Sequence, residues 1–173
     1  TPMMEHFISV KNAYPNTILL YRMGDFYETF FEDAEIVAKE LNIVLTARAS
    51  DDGKIPMAGV PYHALENYLS KLINRGYKVA ICEQMEQPTP GKKLVRREVV
   101  RVITPGTLLE NDFLSEKQNN FLAAVSRKGD SFGLAVVDIS TGEFKVTQIT
   151  GNKSGNILFN ELSRLPVSEC LLP

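Results

Sequence analysis

The stretch with the clearest capacity for chemistry is Arg22–Glu28, which reads Arg-Met-Gly-Asp-Phe-Tyr-Glu. An apolar run of strand length precedes it at residues 17–21, and Gly24-Asp25 interrupts that run with a turn signal. An aromatic side chain that a turn presents to solvent can stack on a nucleic-acid base or insert between two base pairs. The stretch therefore raises the hypothesis that Phe26 contacts a base.

A purely structural role for the same stretch is the alternative. Residues 26–41 show a helical period, with apolar side chains in one stripe and acidic ones opposite, so we predict a helix over 26–41. Phe26 then lies in its first turn, at the edge of the stripe. Asp25 followed by Glu28 fits a capping box at the start of this helix. In this interpretation both carboxylates cap the helix and Phe26 packs against the domain.

Other acidic side chains raise the question of metal chemistry. Asp51 and Asp52 are neighbours on a glycine-containing turn, without the further oxygen ligands of a calcium loop. Asp138 lies near the end of a predicted strand and is followed by Ile-Ser-Thr-Gly. It is either one carboxylate of a two-metal nuclease, with Glu143 or Glu161 as partners, or the acceptor of a side-chain turn. We predict no catalytic residue and no metal site, and keep the nuclease as an alternative.

The composition bounds the classes of function. Hydrophobic residues make up 44% of the 173 residues, charged residues 23%, and the net charge is −2, as in an ordinary globular protein. Residues 1–107 hold 13 basic and 13 acidic side chains. A neutral domain does not hold DNA by counter-ion release alone, so any contact with DNA must be local or shared with other domains. No apolar run reaches the roughly 18 residues of a membrane span, which predicts a cytoplasmic protein without a membrane partner.

Basic side chains are concentrated in one run, residues 92–101. If this run is a strand, Lys93, Arg97 and Arg101 share one of its faces. That face either meets DNA phosphates or belongs to a solvated hairpin. Both interpretations stay open at this point.

The elements that position these residues alternate between helix and strand. In the first part we predict a helix from Pro2 to about Tyr14, strands at 17–21, 42–48 and 77–82, and helices at 26–41 and 64–75, with a loop at PMAGVPY. In the second part we predict strands at 121–126, 132–139, 143–149 and 168–172, and a helix at 155–164. Three meandering strands, a helix and a strand resemble the opening of a ribonuclease H-like fold.

Five blocks of the sequence, in order, resemble the N-terminal part of the MutS family of DNA mismatch-repair proteins. They are TPMM, RMGDFYE, IPMAGVPYH, AICEQ and VVRVITPGT. The resemblance implies an α/β fold, in which a mixed-sheet mismatch-recognition domain precedes the start of a ribonuclease H-like connector domain. We expect the first domain at 1–107, a linker at 108–118 and a truncated connector at 119–173, as a fragment of a longer protein.

The resemblance also implies roles for single residues. In such proteins the phenylalanine that matches Phe26 stacks on a mispaired base from the minor groove, and the glutamate that matches Glu28 hydrogen-bonds to that base. Our candidates for flanking or DNA-backbone contacts are Met23, Asp25, Arg48, Met57, Lys93 and Arg97.

The remaining implications concern the parent protein. No GxxxxGK[ST] phosphate loop occurs in the chain, so we predict that this fragment is not an enzyme and binds no cofactor. The resemblance implies a parent that binds ATP and Mg, hydrolyses ATP and closes as a homodimer around mismatched double-stranded DNA. It also implies a downstream repair protein of the MutL type and a place at the bacterial nucleoid. The competing interpretation is a protein-interaction module in which Phe26 is a core residue.

Overall fold

The chain divides into two compact units in the computed structural model, which describes residues 1–50, 53–86, 95–108 and 119–173. The units are Thr1–Ile103 and Thr104–Pro173. The expected first domain, 1–107, runs slightly further than the first unit. The expected linker lies outside the described residues except for Leu108, so the domain boundaries stay a prediction.

A six-stranded mixed sheet forms the centre of the first unit. Its elements are α1 (Pro2–Ala13), β1 (Ile18–Met23), β2 (Phe26–Phe30), α2 (Phe31–Leu41), β3 (Thr46–Ser50), β4 (Gly53–Pro61), a 3₁₀ turn (Tyr62–Ala64), α3 (Leu65–Asn74), β5 (Val79–Gln84) and β6 (Arg97–Ile103). The strand order is β3-β4-β2-β1-β5-β6. The pair β1–β5 is parallel and the other four pairs are antiparallel, which confirms the expected mixed sheet.

The two faces of this sheet are covered by different helices. Helices α2 and α3 contact β2, β4 and β5, and we call the side on which they pack the helix face. On the opposite face, Met4 and Phe7 of α1 pack against Leu19, Tyr21 and Phe30. Alternation along β2 places Phe26 and Glu28 on this same face as Phe30, where Phe26 is exposed.

The predicted helix over 26–41 is wrong in its first five residues. Phe26–Phe30 form strand β2, and α2 begins at Phe31. Asp25 and Glu28 therefore do not form a capping box. The helical period was misleading because β2 is an inner strand with buried side chains on both faces, so its apolar residues do not alternate cleanly.

Two further predictions of local structure need correction. The strand expected at 42–48 begins at Thr46, because Asn42 ends α2 in the left-handed conformation with φ of 53°. The expected loop at PMAGVPY belongs largely to strand β4. Pro56 is tolerated there since the ladder between β2 and β4 ends at Met57, so Pro56 has no partner on β2.

A four-stranded sheet and one helix form the second unit. After a 3₁₀ turn (Pro105–Thr107), the elements are β7 (Phe121–Lys128), β8 (Ser131–Asp138), β9 (Glu143–Ile149), α4 (Ser154–Arg164) and β10 (Val167–Leu171). The order is β10-β7-β8-β9, with β10 parallel to β7. Phe121, Leu134 and Val136 are buried under Leu158 and Leu162 of α4. In the part of the chain that the structure describes, no helix is long and apolar enough to cross a bilayer.

Candidate nucleic-acid interface

The candidate site is built on a tight hairpin between β1 and β2. Met23 pairs with Phe26, so Gly24 and Asp25 alone connect the two strands. Gly24 has a φ of 59°, in the left-handed region, whereas Asp25 does not. This combination is that of a type II′ turn, whose twist matches that of the flanking strands and which requires glycine at its first position. The turn therefore delivers Phe26 at a defined place, as the first residue of β2.

Phe26 projects from the sheet instead of entering the core. It is 46% exposed, which is inconsistent with the alternative in which it is a core residue. Gly59 of β4 lies beside it, and a Cβ there would be 3.8 Å from Cδ1 of Phe26 and 3.5 Å from Cγ of Glu28. The absence of a side chain at Gly59 thus leaves space next to both residues.

Glu28 lies on the same face of β2 as Phe26, paired with Tyr21 on one side and Gly59 on the other. Its Oε2 atom is buried and finds no hydrogen-bond partner among the described residues. Burial raises the pKa of Glu28, and the positive charge of Arg48 partly counteracts this rise. A carboxyl group whose pKa is raised takes up a proton more readily, so it can donate a hydrogen bond as well as accept one.

The other candidates near the hairpin have different environments. Arg48, in the middle of β3, is half-buried and acts electrostatically on Glu28. Met23 and Met57 are partly buried against the core cluster under α1, so they support the surface from which Phe26 projects. Asp25 is exposed at the turn. We call Met23, Phe26, Glu28, Arg48 and Gly59 the hairpin patch.

The basic run does not form one face, contrary to the expectation. The ladder between β5 and β6 contains a bulge, because Ile81 pairs with Arg101 while the next residue, Cys82, pairs with Val99. The extra residue reverses the alternation, so Arg97 and Arg101 project to opposite faces. Arg101 forms an ion pair with Glu66 of α3 at 3.4 Å. The third predicted member, Lys93, lies outside the described residues.

Arg97 links β6 to β1. Its Nε donates a hydrogen bond to the carbonyl of Arg22 at 2.8 Å, and its Nη1 donates to the carbonyl of Val95 at 3.0 Å. The guanidinium lies 5.0 Å from the ring centre of Tyr21. Burial raises the pKa of Tyr21, and Arg97 opposes that rise. Arg97 therefore has a structural role at the edge of the sheet, and its contact with DNA phosphates stays a prediction.

Asp138 is fully engaged in closing the turn after β8. Its Oδ1 accepts hydrogen bonds from the Ser140 amide and hydroxyl at 3.0 and 2.7 Å and from the Thr141 amide at 3.3 Å. Its Oδ2 accepts from the Asn120 amide at 3.1 Å. Burial alone would raise the pKa of Asp138, but these hydrogen bonds outweigh it and the pKa is lowered. Asp138 is thus the acceptor of a side-chain turn.

The acids proposed as nuclease partners are also engaged elsewhere. Glu143 lies opposite Asp138 in the β8–β9 ladder. Its side chain accepts a hydrogen bond from Lys145, which is the main reason why the pKa of Glu143 is lowered. Glu161 pairs with Arg164 at 2.7 Å. Within the described ranges, no three His, Cys, Asp or Glu side chains converge in a way that would hold a metal ion.

Sequence reasoning missed a group of side chains on the helix face, below the turn. Arg22 lies with its guanidinium 4.0 Å from the ring centre of Tyr62 and 5.5 Å from that of Tyr27. The Tyr27 hydroxyl donates a hydrogen bond to Glu83. Burial, and to a smaller extent the hydrogen bond and negative charge of Glu83, raise the pKa of Tyr27 to about 12. The sequence holds one signal for this group, since all four residues belong to the blocks RMGDFYE, IPMAGVPYH and AICEQ, which carry the resemblance to the MutS family.

The fold and the site together define a class of protein with two α/β units, the first of which presents an aromatic side chain beside a hairpin turn and a partly buried carboxylate two residues further along the same strand. Two family models match this chain, MutS domain I over residues 1–112 and MutS domain II over residues 120–173. The chain therefore belongs to the MutS family.

Similar curated proteins come from several organisms. The chain is 55% identical over 174 residues to the DNA mismatch repair protein MutS of Symbiobacterium thermophilum, covering 99% of this chain and 20% of that protein. It is 53% identical over 173 residues to the protein of the same name from Syntrophomonas wolfei, with the same coverage. The corresponding protein of Methanosarcina mazei is 50% identical over 186 residues, covering 100% of this chain and 21% of that protein. The chain thus spans about a fifth of the length of these relatives.

Proposed function

We propose that this chain recognises mismatched or unpaired bases in duplex DNA, and so begins mismatch repair in its parent protein. Phe26 stacks on the displaced base, and Glu28 hydrogen-bonds to it. One observation carries the proposal. An exposed aromatic ring and a buried carboxylate oxygen that has no hydrogen-bond partner among the described residues lie two residues apart on one face of β2. Membership of the MutS family supports the same conclusion.

The physical basis of this recognition is the deformability of the duplex. A mismatched step costs less free energy to unstack and kink than a paired step. A ring that must enter the base stack therefore selects for weak pairing and not for a particular base sequence. Phe26 suits this role because the rigid β1–β2 turn fixes its backbone while its ring remains exposed.

Glu28 contributes to specificity because it weakens the binding of any duplex, and only a displaced base compensates for this loss. A carboxylate that faces DNA repels the phosphates of any duplex, matched or not. If the Glu28 side chain rotates toward a displaced base, it gains a hydrogen bond for its Oε2, which otherwise has no partner among the described side chains and backbone groups. The raised pKa of Glu28 also lets the protonated form donate to a ring nitrogen or a carbonyl of the base.

The remaining properties are proposed for the parent protein. We infer that it is an ATPase that binds ATP and Mg outside this chain, and that two copies close around mismatched double-stranded DNA. We further infer that it acts with a downstream protein of the MutL type in the bacterial cytoplasm, at the nucleoid. The neutral charge of residues 1–107 supports a closed dimer, because one such domain lacks the cations that tight binding requires.

The test compares Phe26→Ala with the unchanged full-length parent protein. Fluorescence anisotropy at fixed salt gives the Kd for a duplex with one G·T mismatch and for the matched duplex, and thermal melting reports folding. We expect Phe26→Ala to melt like the unchanged protein and to lose most of its preference for the mismatch, because the ring contributes stacking of about 1–3 kcal/mol. Glu28→Gln tests the second side chain in the same way.

Phe144→Ala provides the matched control. Phe144 is also an exposed phenylalanine on a strand, at 65% exposure, but it lies in the second unit. Its removal should leave both Kd values unchanged. The proposal fails if Phe26→Ala keeps the mismatch preference, or if Phe144→Ala reduces it equally.

A further inference from the structure

Both carbonyls of the β1–β2 turn are held by other parts of the first unit. Nε of Arg22 donates a hydrogen bond to the carbonyl of Gly24. The amide of Tyr62, the first residue after β4, donates to the carbonyl of Asp25 at 2.9 Å. A two-residue turn has no other backbone carbonyl between its strands, so these two bonds engage every carbonyl of the turn and help to fix its orientation.

The Arg22 side chain is itself fixed on several sides. Its guanidinium lies 4.0 Å from the ring centre of Tyr62 and 5.5 Å from that of Tyr27. One of its nitrogens lies 3.8 Å from a carboxylate oxygen of Glu83, which also accepts the Tyr27 hydroxyl. The Arg22 side chain is only 20% exposed. Arg22 thus connects β1, β2, β5 and the end of β4 at one point.

Arg22 and Phe26 lie on opposite faces of the sheet. Arg22 pairs with Tyr27, which is buried on the helix face, whereas Met23 pairs with Phe26 on the other face. Arg22 therefore cannot reach a base that stacks on Phe26, yet it bonds to the turn residue two positions before that ring. An exposed ring has few contacts of its own, so its position depends on the backbone that carries it.

We propose that Arg22 is a positioning residue, which holds the β1–β2 turn so that Phe26 has the orientation that stacking on a base requires. This inference rests on the function proposed above. Its chemistry is specific to arginine, because a planar guanidinium can stack on Tyr62 and donate sideways to Gly24 at the same time. A lysine at this position keeps the charge and a donor, but it has no planar group that could stack flat on Tyr62 while donating to Gly24.

The test measures Kd for mismatched and matched duplexes, over a series of salt concentrations, with the full-length parent protein and its Arg22→Met variant. We expect the mismatch preference to fall about tenfold, since small displacements of a contacting group cost that much or more. The affinity for matched duplex and the dependence of Kd on salt should stay the same. Arg22→Lys should behave like Arg22→Met.

Arg75→Met is the matched control. Arg75 also forms an ion pair on the first unit, with Glu40 at 3.3 Å, so its removal takes away the same charge without touching the turn. It should leave the mismatch preference unchanged. Tyr62→Leu provides an uncharged second variant, which removes the stacking partner of Arg22 and should lower the preference in the same direction. If Arg22→Met fails to fold, Tyr62→Leu and Arg22→Lys decide the question.

The outcomes separate this inference from the proposed function. If Phe26→Ala loses the mismatch preference while the Arg22 and Tyr62 variants keep it, the positioning role is wrong and the function stands. If Phe26→Ala keeps the preference, both are wrong. If Arg22→Met weakens matched and mismatched binding equally and lowers the salt slope by about one, Arg22 contacts a phosphate instead.

Discussion

Glu28 in the first unit and Asp138 in the second are both acidic strand residues, and the structure uses them in opposite ways. Asp138 is 1% exposed and accepts four hydrogen bonds. Glu28 is half-buried, and its buried Oε2 has no partner within the described residues. The position of each residue in its strand explains the difference. Asp138 ends β8, where the chain turns back and its amides are still unpaired.

Glu28 lies inside an inner strand, with neighbours in ladders on both sides. Its strand pairs with β1 and β4 over this region, so nearby amides already bond to other strands and cannot serve the carboxylate. A buried carboxylate without donors has a raised pKa, and one with four donors has a lowered pKa. Asp138 thus stabilises the fold, whereas Oε2 of Glu28 has no hydrogen bond among the described residues, as its proposed contact with a base requires.

The largest effect should come from Asp138→Ala. It leaves three backbone amides and one hydroxyl without their acceptor near a buried position. We expect the free energy of unfolding to fall by about 3 kcal/mol, as measured by urea unfolding. Glu161→Ala is the control, since it removes a half-exposed ion pair with Arg164 and should cost less than about 0.5 kcal/mol. Equal effects of the two changes would contradict the role of Asp138.

The second unit shows what a sequence predicts well. Lys128-Gly129-Asp130 and Ser140-Thr141-Gly142 mark both hairpin turns, and the strands between them follow closely the predicted ranges. The sequence predicts Asp138 as a possible turn acceptor because Ser140 and Thr141 are its close neighbours in the chain. Local signals therefore sufficed wherever local contacts determine the structure.

The first unit shows where such prediction ends. The motif singles out Phe26 and Glu28, but periodicity predicts a helix in place of their strand because β2 has buried side chains on both faces. The opposite directions of Arg97 and Arg101 depend on a bulge that the pairing with β5 creates. The contacts of Arg22 involve Tyr62 and Glu83, which are distant in the chain. Periodicity depends only on residues that are close in sequence, so it does not predict contacts between residues that are distant in the chain.

A smaller effect should come from Thr29→Val, which tests whether an unpartnered atom is costly in its own right. Thr29 follows Glu28 in β2, so its side chain projects to the opposite side of the sheet, the helix face. It is 0% exposed, and its Oγ1 has no hydrogen-bond partner among the described groups. Valine has the same shape without the hydroxyl, so we expect the free energy of unfolding to rise by about 1 kcal/mol. Thr46→Val is the control, because that hydroxyl donates to the Met57 carbonyl at 2.9 Å and its loss should lower stability slightly. A lower stability for Thr29→Val would show that Oγ1 is satisfied in solution.

The smallest effect, and the sharpest contrast, should appear in the pH dependence of unfolding. The lowered pKa of Asp138 stabilises the folded chain above the unfolded value of 3.8, and this stabilisation is lost as the pH falls through the folded pKa. The raised pKa of Glu28 has the opposite sign. Its folded form binds the proton more tightly, so stability is lost as the pH rises from 4.5 through the folded pKa.

Urea unfolding between about pH 2.5 and 7 measures both signs if the curves of Asp138→Asn and Glu28→Gln are subtracted from that of the unchanged protein. The difference should increase with pH for Asp138 and decrease with pH for Glu28. Arg48→Met sharpens the second curve, because removing the charge that opposes the rise moves the pKa of Glu28 further up and extends the decrease to higher pH. Lys39→Met is the control: it removes a charge from an exposed position of α2, on the helix face, and should leave the difference curve of Glu28 unchanged. Two difference curves of the same sign would mean that Glu28 has a donor in solution, and its readiness to bond a base would then have no physical basis.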